Sequence, residues 1–399
     1  MRSTTKLDVA DRSHNDRFDD RGHRPAEASE RARILGPALA AGATTAVLPL
    51  VSVVVTAFDC ARFVVATLRS VHAQRYASFE CVVVEDASTD DTLAVIERLF
   101  EELADPRFVL VRHDVNRGQL AAQVTGFQHT RGDFVVFLDA DDLLFDDALE
   151  AQVSAHLASR SIVPMTCFDS LIINEHDTVL AGHTRDAPLL HFPWFQTNIQ
   201  RLSLPVLGER VDALHIPAAS GNMLTGARWY WSTQSFMMFR RDALDLILPE
   251  RTELFRACAD FYLVRMLHAL NGTLMVRRQI GAYRIHGKNQ YAARLLVSSD
   301  QLNADHRRFK WQEKQLATLA SEVVAERFER FAAAYGEARM TRCLMSLPLA
   351  SRPALMPLLQ RRLSAQRAAA AIGFAVVGRA GAHILRFARN VGHYPRATV

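Results

Sequence analysis

Three carboxylates close an apolar run, Phe134-Val135-Val136-Phe137-Leu138-Asp139-Ala140-Asp141-Asp142. An uncharged run of this length, rich in Val and Phe, reads as a fully buried strand. Acids at the carboxyl end of such a strand stand where open α/β sheets bind their ligands. Asp139 and Asp141 are two residues apart, so on extended backbone they point the same way. Like charges held together need a counterion, and a hard divalent cation that also grips a diphosphate supplies one. The competing reading is a helix cap, in which an Asp accepts hydrogen bonds from the free N–H groups of a first turn. Asp142 suits that second role, before a helix expected to begin near Leu143. An earlier segment has the same construction: Phe79-Glu80-Cys81-Val82-Val83-Val84-Glu85-Asp86 is again an apolar strand that ends in acids.

The elements that must position these acids follow from periodicity. Val51-Ser52-Val53-Val54-Val55-Thr56-Ala57-Phe58 is a first buried strand, and Val64, Val65, Leu68 and Val71 then recur at the spacing of one helix face. After the second strand, Ser88, Thr89 and Asp90 are each able to cap a helix whose apolar face is Leu93, Ile96, Leu99 and Phe100. Phe108-Val109-Leu110-Val111 is a short third strand, and Val124 and Phe127 belong to a helix that leads through Arg131-Gly132-Asp133 to the acidic strand. Alternating strands and helices predict a mainly parallel, doubly wound sheet. No G-x-G-x-x-G follows the first strand, which argues against dinucleotide binding of the usual kind.

Four blocks, Val53-Val54-Val55-Thr56-Ala57-Phe58, Val84-Glu85-Asp86-Ala87-Ser88-Thr89-Asp90-Asp91-Thr92, Asn116-Arg117-Gly118 and Phe137-Leu138-Asp139-Ala140-Asp141-Asp142, occur in this order. Together they resemble the inverting family 2 glycosyltransferases of the GT-A fold, over residues 50–292. The resemblance implies a Rossmann-like, mainly parallel sheet flanked by helices and a nucleotide-sugar donor, UDP- or dTDP-linked. Thr56, Ala57 and Phe58 would line the nucleoside pocket. Asp86 would accept a hydrogen bond from the base, since an ionised carboxylate only accepts; a turn or capping role is its alternative. Arg117, beside Gly118, would reach a phosphate or lie in solvent. Asp139, Ala140 and Asp141 match the family's D-x-D motif. Asp141 would be the direct ligand of Mg²⁺ or Mn²⁺, with Asp139 on the ribose or the metal. Two departures leave the donor sugar open: Ala122-Gln123-Val124 replaces the family's Ala-Arg-Asn, and Glu85 stands where Asp is common.

The acceptor side is less regular. From Cys167 to about Ala218 the periodicity weakens, and His183, Arg185, His191, Trp194 and Phe195 mark either an acceptor-specific insertion or a structural loop. Trp231 to Leu244 restores order, and the resemblance then places the catalytic base at Asp260, in Ala257-Cys258-Ala259-Asp260-Phe261-Tyr262-Leu263. The first acid of the family's pair is Ala259 here, so Asp260 stands alone; it also suits a helix N-cap. Tyr283-Arg284-Ile285-His286-Gly287 resembles the Tyr-Arg-x-His stretch that closes such domains, and His286 is a metal or phosphate contact or an ordinary loop residue. The Gln-x-x-Arg-Trp of processive polymerases is not found after Asp260: Arg228-Trp229 precedes it, with Thr225 in the place of Gln. Single-sugar transfer to a glycan or lipid-linked acceptor is therefore expected, in cell-surface polysaccharide or glycolipid synthesis. A non-catalytic nucleotide-sugar or glycan-binding protein of the same fold is the alternative.

The 399 residues divide into a lead of residues 1–45, a transferase domain of residues 46–295 split near 145 into nucleotide and acceptor halves, and a helical basic region of residues 296–399. The lead is rich in Arg, Asp, His and Ser and reads as disordered. Residues 34–58 carry no charge, but Pro37, Pro49 and the need for a first strand argue against a membrane span, and the N-terminus lacks the apolar core of a secretory signal. Cys60, Cys81, Cys167, Cys258 and Cys343 show no paired spacing and read as reduced thiols of a cytoplasmic protein. Net charge is only +4, yet residues 338–399 hold ten arginines and no acid. Such a tail suits the anionic inner face of a plasma membrane, or packing on the enzyme. No aromatic stacking platform accompanies it, so nucleic acid is not expected. The oligomeric state is unknown from sequence.

Overall fold

The computed structural model describes residues 28–35, 47–159, 161–182, 199–216, 231–287, 289 and 299–336. His183, Arg185, His191, Trp194 and Phe195, together with the basic tail 338–399, lie outside the described residues. Contacts divide the chain into two compact units; the described residues up to 289 belong to the first and residues 299–336 to the second.

In the first unit, β1 (Val51–Ala57), β2 (Phe79–Glu85), β3 (Phe108–Arg112) and β4 (Phe134–Asp139) are parallel and adjacent in the order β3-β2-β1-β4. In β1, β2 and β4 the Val, Phe and Leu side chains are buried on both faces, as strands covered by helices require, whereas edge strand β3 leaves Val109 exposed. The chain runs outward from β1 to β3 and then returns to the other side of β1, so the crevice where the order reverses opens at the carboxyl ends of β1 and β4. Thr56 pairs with Asp139 across that point.

The connecting helices are α1 (Ala28–Leu35), α2 (Val64–His72), α3 (Thr92–Leu103), α4 (Gln119–Gln128) and α5 (Ala148–Ala158), followed by α6 (Arg241–Ile247) and α7 (Ala259–Asn271). The expected apolar faces are present: Val64, Leu68 and Val71 of α2 are buried, as are Ile96 and Leu99 of α3. Gly126 lets α4 lie directly on the sheet, because a Cβ there would run into the Val54 side chain.

Beyond β4 the sheet becomes mixed. β10 (Met237–Arg240) is antiparallel to both β4 and β6 (Met165–Asn174), and β11 (Thr273–Ile285) is parallel to β6. The hairpin of β8 (Gln200–Val206) and β9 (Glu209–Ile216) extends the edge, with β5 (Leu143–Leu144) on β11 and β7 (Val179–Ala181) on β6. The fold is α/β, with a mixed sheet that is parallel at its centre and flanked by helices.

Four expectations are corrected. β4 ends at Asp139 and Asp141 lies in a turn, so the pair does not share a strand face. Leu143 begins strand β5 rather than a helix, because Leu143 and Leu144 pair with Gly281 and Ala282. Cys167 is not the start of an irregular insertion but lies within β6, a strand of the central sheet buried over most of its length. Within the supposedly disordered lead, Ala28–Leu35 is helical, with Ile34 buried and Arg33 paired to Glu150 at 2.7 Å.

The second unit contains α8 (Ser299–Glu326) and α9 (Phe328–Tyr335), with Leu316, Leu319, Ala320, Val323 and Val324 buried at helical spacing. Among the described residues no helix is long and apolar enough to cross a membrane.

Candidate active site

Asp86 follows β2 directly, and the next residue, Ala87, takes a left-handed φ of 56°, which turns the chain sharply at the sheet edge. The Asp86 N–H donates to the Ala57 carbonyl (2.9 Å). Its carboxylate accepts the backbone N–H groups of Arg117 (2.8 Å) and Gly118 (2.7 Å), and His113 Nδ1 lies 2.6 Å away. A carboxylate accepts, so Nδ1 carries the hydrogen. In the neutral ring, Nε2 then accepts from the Thr125 hydroxyl at 2.9 Å. Gly118 has φ +89°, and a Cβ there would stand 2.6 Å from the Arg256 Cα, so this turn needs glycine. Glu85 closes the loop by accepting the Ser88 N–H (2.6 Å). Beside Asp86, Thr56 is half-buried and Phe58 is 46% exposed. The Ala57 methyl belongs to the core, and its carbonyl holds Asp86. The Arg117 side chain is exposed.

At the end of β4, the Asp139 N–H donates to Ser235 Oγ (3.2 Å), while its Oδ1 accepts from Gln119 Nε2 (3.0 Å). Burial first, then the charges of Asp141 and Asp260, push the Asp139 carboxyl up to about 7. Ala140 also turns its methyl into the core, and its carbonyl accepts the Thr67 hydroxyl at 2.9 Å. Asp141 Oδ2 lies 2.9 Å from His286 Nε2 and 3.3 Å from Asn289 Nδ2. The His286 ring stacks on Phe63, centroids 4.7 Å apart, which fixes its orientation. Asp142 is not a helix cap. It is fully buried, accepts the Arg284 N–H (3.0 Å), and burial followed by the charges of Asp141 and Asp139 raises its carboxyl well above the usual range.

Asp260 sits in the first turn of α7 as its second residue. The capping position belongs to Cys258, at φ 56°, so Asp260 is not the N-cap expected as its alternative role. One Asp260 oxygen, Oδ1, accepts the Phe261 N–H (2.8 Å). Burial pushes the carboxyl up to about 6, although that N–H and Arg265 pull the other way. A carboxylate of this kind is ionised at neutral pH and still basic enough to accept a proton.

The structure therefore brings Asp139 and Asp260 within reach of each other's charge, and pairs Asp141 with His286. Gln119, His113, Ser235 and Asn289 complete the site and were not singled out from sequence. His113 and Gln119 flank the Asn-Arg-Gly block, and that proximity was the only available signal. Gln123, in the family's Arg position, is buried and donates to Gln234 Oε1 (2.9 Å).

The implied divalent cation can be tested against these side chains. Among the described residues no group of three or more His, Cys, Asp or Glu side chains could hold a metal ion, so Asp139, Asp141 and His286 are not a ready ligand triad. Asp141 with His286 still offers a carboxylate and an imidazole at one point. Mg²⁺ and Mn²⁺ sites on nucleotides need few protein ligands, because phosphate oxygens and water complete the shell. Asp141 and His286 would supply the protein's share of such a shell.

Residues 52–214 match the family model described as glycosyl transferase family 2. The chain is 26% identical over 251 residues to an uncharacterized glycosyltransferase of Nostoc sp., covering 63% of this chain and 69% of that one. It is 27% identical over 145 residues to the UDP-Glc:alpha-D-GlcNAc-diphosphoundecaprenol beta-1,3-glucosyltransferase WfaP of Escherichia coli, covering 36% of this chain and 55% of the relative. Among solved structures, S. aureus TarS 1-349 in complex with UDP-GlcNAc aligns with a TM-score of 0.44 at 14% identity, over 81% of this chain and 88% of that one. The stretch that matches the glycosyl transferase family 2 model takes in β2, β3, β4 and nearly all of β1, with Asp139 and Asp141 at their switch point, and over that stretch the chain is similar to this family.

Proposed function

We propose that the chain transfers one sugar from a UDP- or dTDP-linked donor to a hydroxyl of a glycan or lipid-linked acceptor, with inversion and with a divalent cation. The observation that carries this reading is the convergence of Asp139 and Asp260, two carboxyls pushed up to about 7 and about 6, at the carboxyl ends of the parallel strands. Asp86 and Phe58 meet the nucleobase, the first as acceptor for an imide N–H and the second by its exposed ring. Asp141 and His286 would hold the cation, whose charge offsets that of the departing diphosphate. With Oδ1 engaged by Phe261, Asp260 Oδ2 takes the proton of the acceptor hydroxyl. The hydroxyl oxygen bonds to the anomeric carbon as the bond to the diphosphate oxygen breaks on the opposite face. The named substrates of the Escherichia coli relative, UDP-Glc and a diphosphoundecaprenol-linked GlcNAc, support a UDP donor and a lipid-linked acceptor.

A nucleotide-sugar panel assayed for donor hydrolysis with Mn²⁺, Mg²⁺ or EDTA, beside Asp141→Ala, tests the reading. One donor cleaved only with metal, and not by the variant, is the expected result. Tight donor binding without turnover across acceptors would instead support a non-catalytic binder. The basic tail 338–399 places the enzyme on an anionic membrane face in this proposal, and failure of the full chain to float with anionic liposomes at low salt would remove that part.

A further inference from the structure

We infer that Gln119 is a positioning residue that ties the helix carrying Asp260 to the donor-side carboxylate Asp139. This rests on the proposed roles of those two acids. The side chain uses both ends of its amide. Nε2 donates to Asp139 Oδ1 at 3.0 Å, and Oε1 accepts the Ala259 N–H at 3.0 Å. The Gln119 backbone N–H donates to the Arg256 carbonyl (2.8 Å), so one residue bonds twice to the segment that enters α7 and once to the end of β4.

That segment needs an outside support. Ala259 opens α7, and its N–H is one of the four that a helix leaves without an internal partner. Cys258, in the capping position, makes no side-chain cap bond, and its left-handed φ of 56° costs energy in a non-glycine residue. Gln119 supplies the missing acceptor from another element, 140 residues earlier in the chain. The residues before it reinforce the contact: Gly118 packs against the Arg256 backbone while donating to Asp86, and Arg256 Nη2 donates to the Asn116 carbonyl (3.1 Å). Residues 116–119 therefore join the nucleobase acid, the D-x-D acid and the base helix.

Only an uncharged amide of this length does both jobs. Leu offers neither bond. Glu keeps an acceptor for Ala259 but turns a second carboxylate toward Asp139, where like charges repel.

The test uses the full chain with Gln119→Leu and Gln119→Glu, steady-state kinetics with the donor found in the panel, and hydrogen exchange of the peptide 256–264. Gln119→Leu is expected to lower kcat ~10–100-fold, the scale of a small misplacement of a reacting group, with donor KM little changed and with faster exchange in that peptide. Gln119→Glu is expected to keep most of the exchange protection while losing kcat, which a purely structural role would not produce. Wild-type kcat and unchanged exchange in Gln119→Leu would overturn the inference, even where Asp260→Asn is inactive. Full turnover in Asp260→Asn would overturn the role given to Asp260, and exchange at 256–264 would still decide whether Gln119 holds α7.

Discussion

Two groups of carboxylates face the same edge of the sheet and are held in different ways. On the nucleotide side, Asp86 is surrounded by donors: two backbone N–H groups and an imidazole that is itself anchored on Thr125. On the transfer side, Asp139 receives one amide N–H on its side chain, and Asp260 receives the N–H of the residue next to it. Burial then pushes both of these acids upward, helped at Asp139 by the charges of Asp141 and Asp260 and opposed at Asp260 by Arg265. A carboxylate given many donors is fixed in place and suits recognition. One that is short of donors stays basic and suits proton transfer, at a cost to the folded state.

The largest break in that comparison comes from Asp260→Asn. Transfer should fall ~10²–10⁴-fold by initial-rate assay, the usual contribution of one positioned base. The same change should stabilise the protein at about pH 7.5. The folded carboxyl titrates near 6 and the ordinary one near 3.8, so its favourable contribution is complete below the lower value and lost as pH rises through the upper. Ionised Asp260 is therefore a burden at neutral pH. Melting curves should show a gain for the variant at about pH 7.5 that shrinks at about pH 4.5. An equal gain at both values would mean that burial does not set this carboxyl.

A second effect sharpens the comparison without mutation. As pH falls, kcat should decline on an acid limb near 6, the value reached by Asp260. A flat profile down to about pH 4.5 would assign proton transfer elsewhere. The smallest effect belongs to the recognition side. His113→Gln removes the imidazole from Asp86 but leaves the two backbone donors, so donor KM should rise by ~3–10-fold with kcat little changed, the cost of about one hydrogen bond. A loss in kcat of the size expected for Asp260→Asn would erase the distinction between the two sides.

Much of the sheet was legible because its strands are uninterrupted apolar runs, and the acids that close them are visible without any partner. Asp142 was misplaced because its bond to Arg284 and the pairing of Leu143 with Ala282, both far along the chain, are what make the next residues a strand rather than a helix. Ala57 and Ala140 fell within the right blocks, but register decides which atoms of a block face the crevice, and both methyls face the core.

By itself the sequence determined the parallel centre of the sheet and the acids at its carboxyl edge, since burial of apolar runs and their polar stops are local properties. It also carried the family likeness. Tertiary structure alone decided that Asp139 and Asp260 feel one another, that Asp141 meets His286, and that Gln119 serves two of these elements at once. Those contacts join residues 20 to 145 positions apart, and a side chain's charge and partners are set by neighbours in space rather than along the chain.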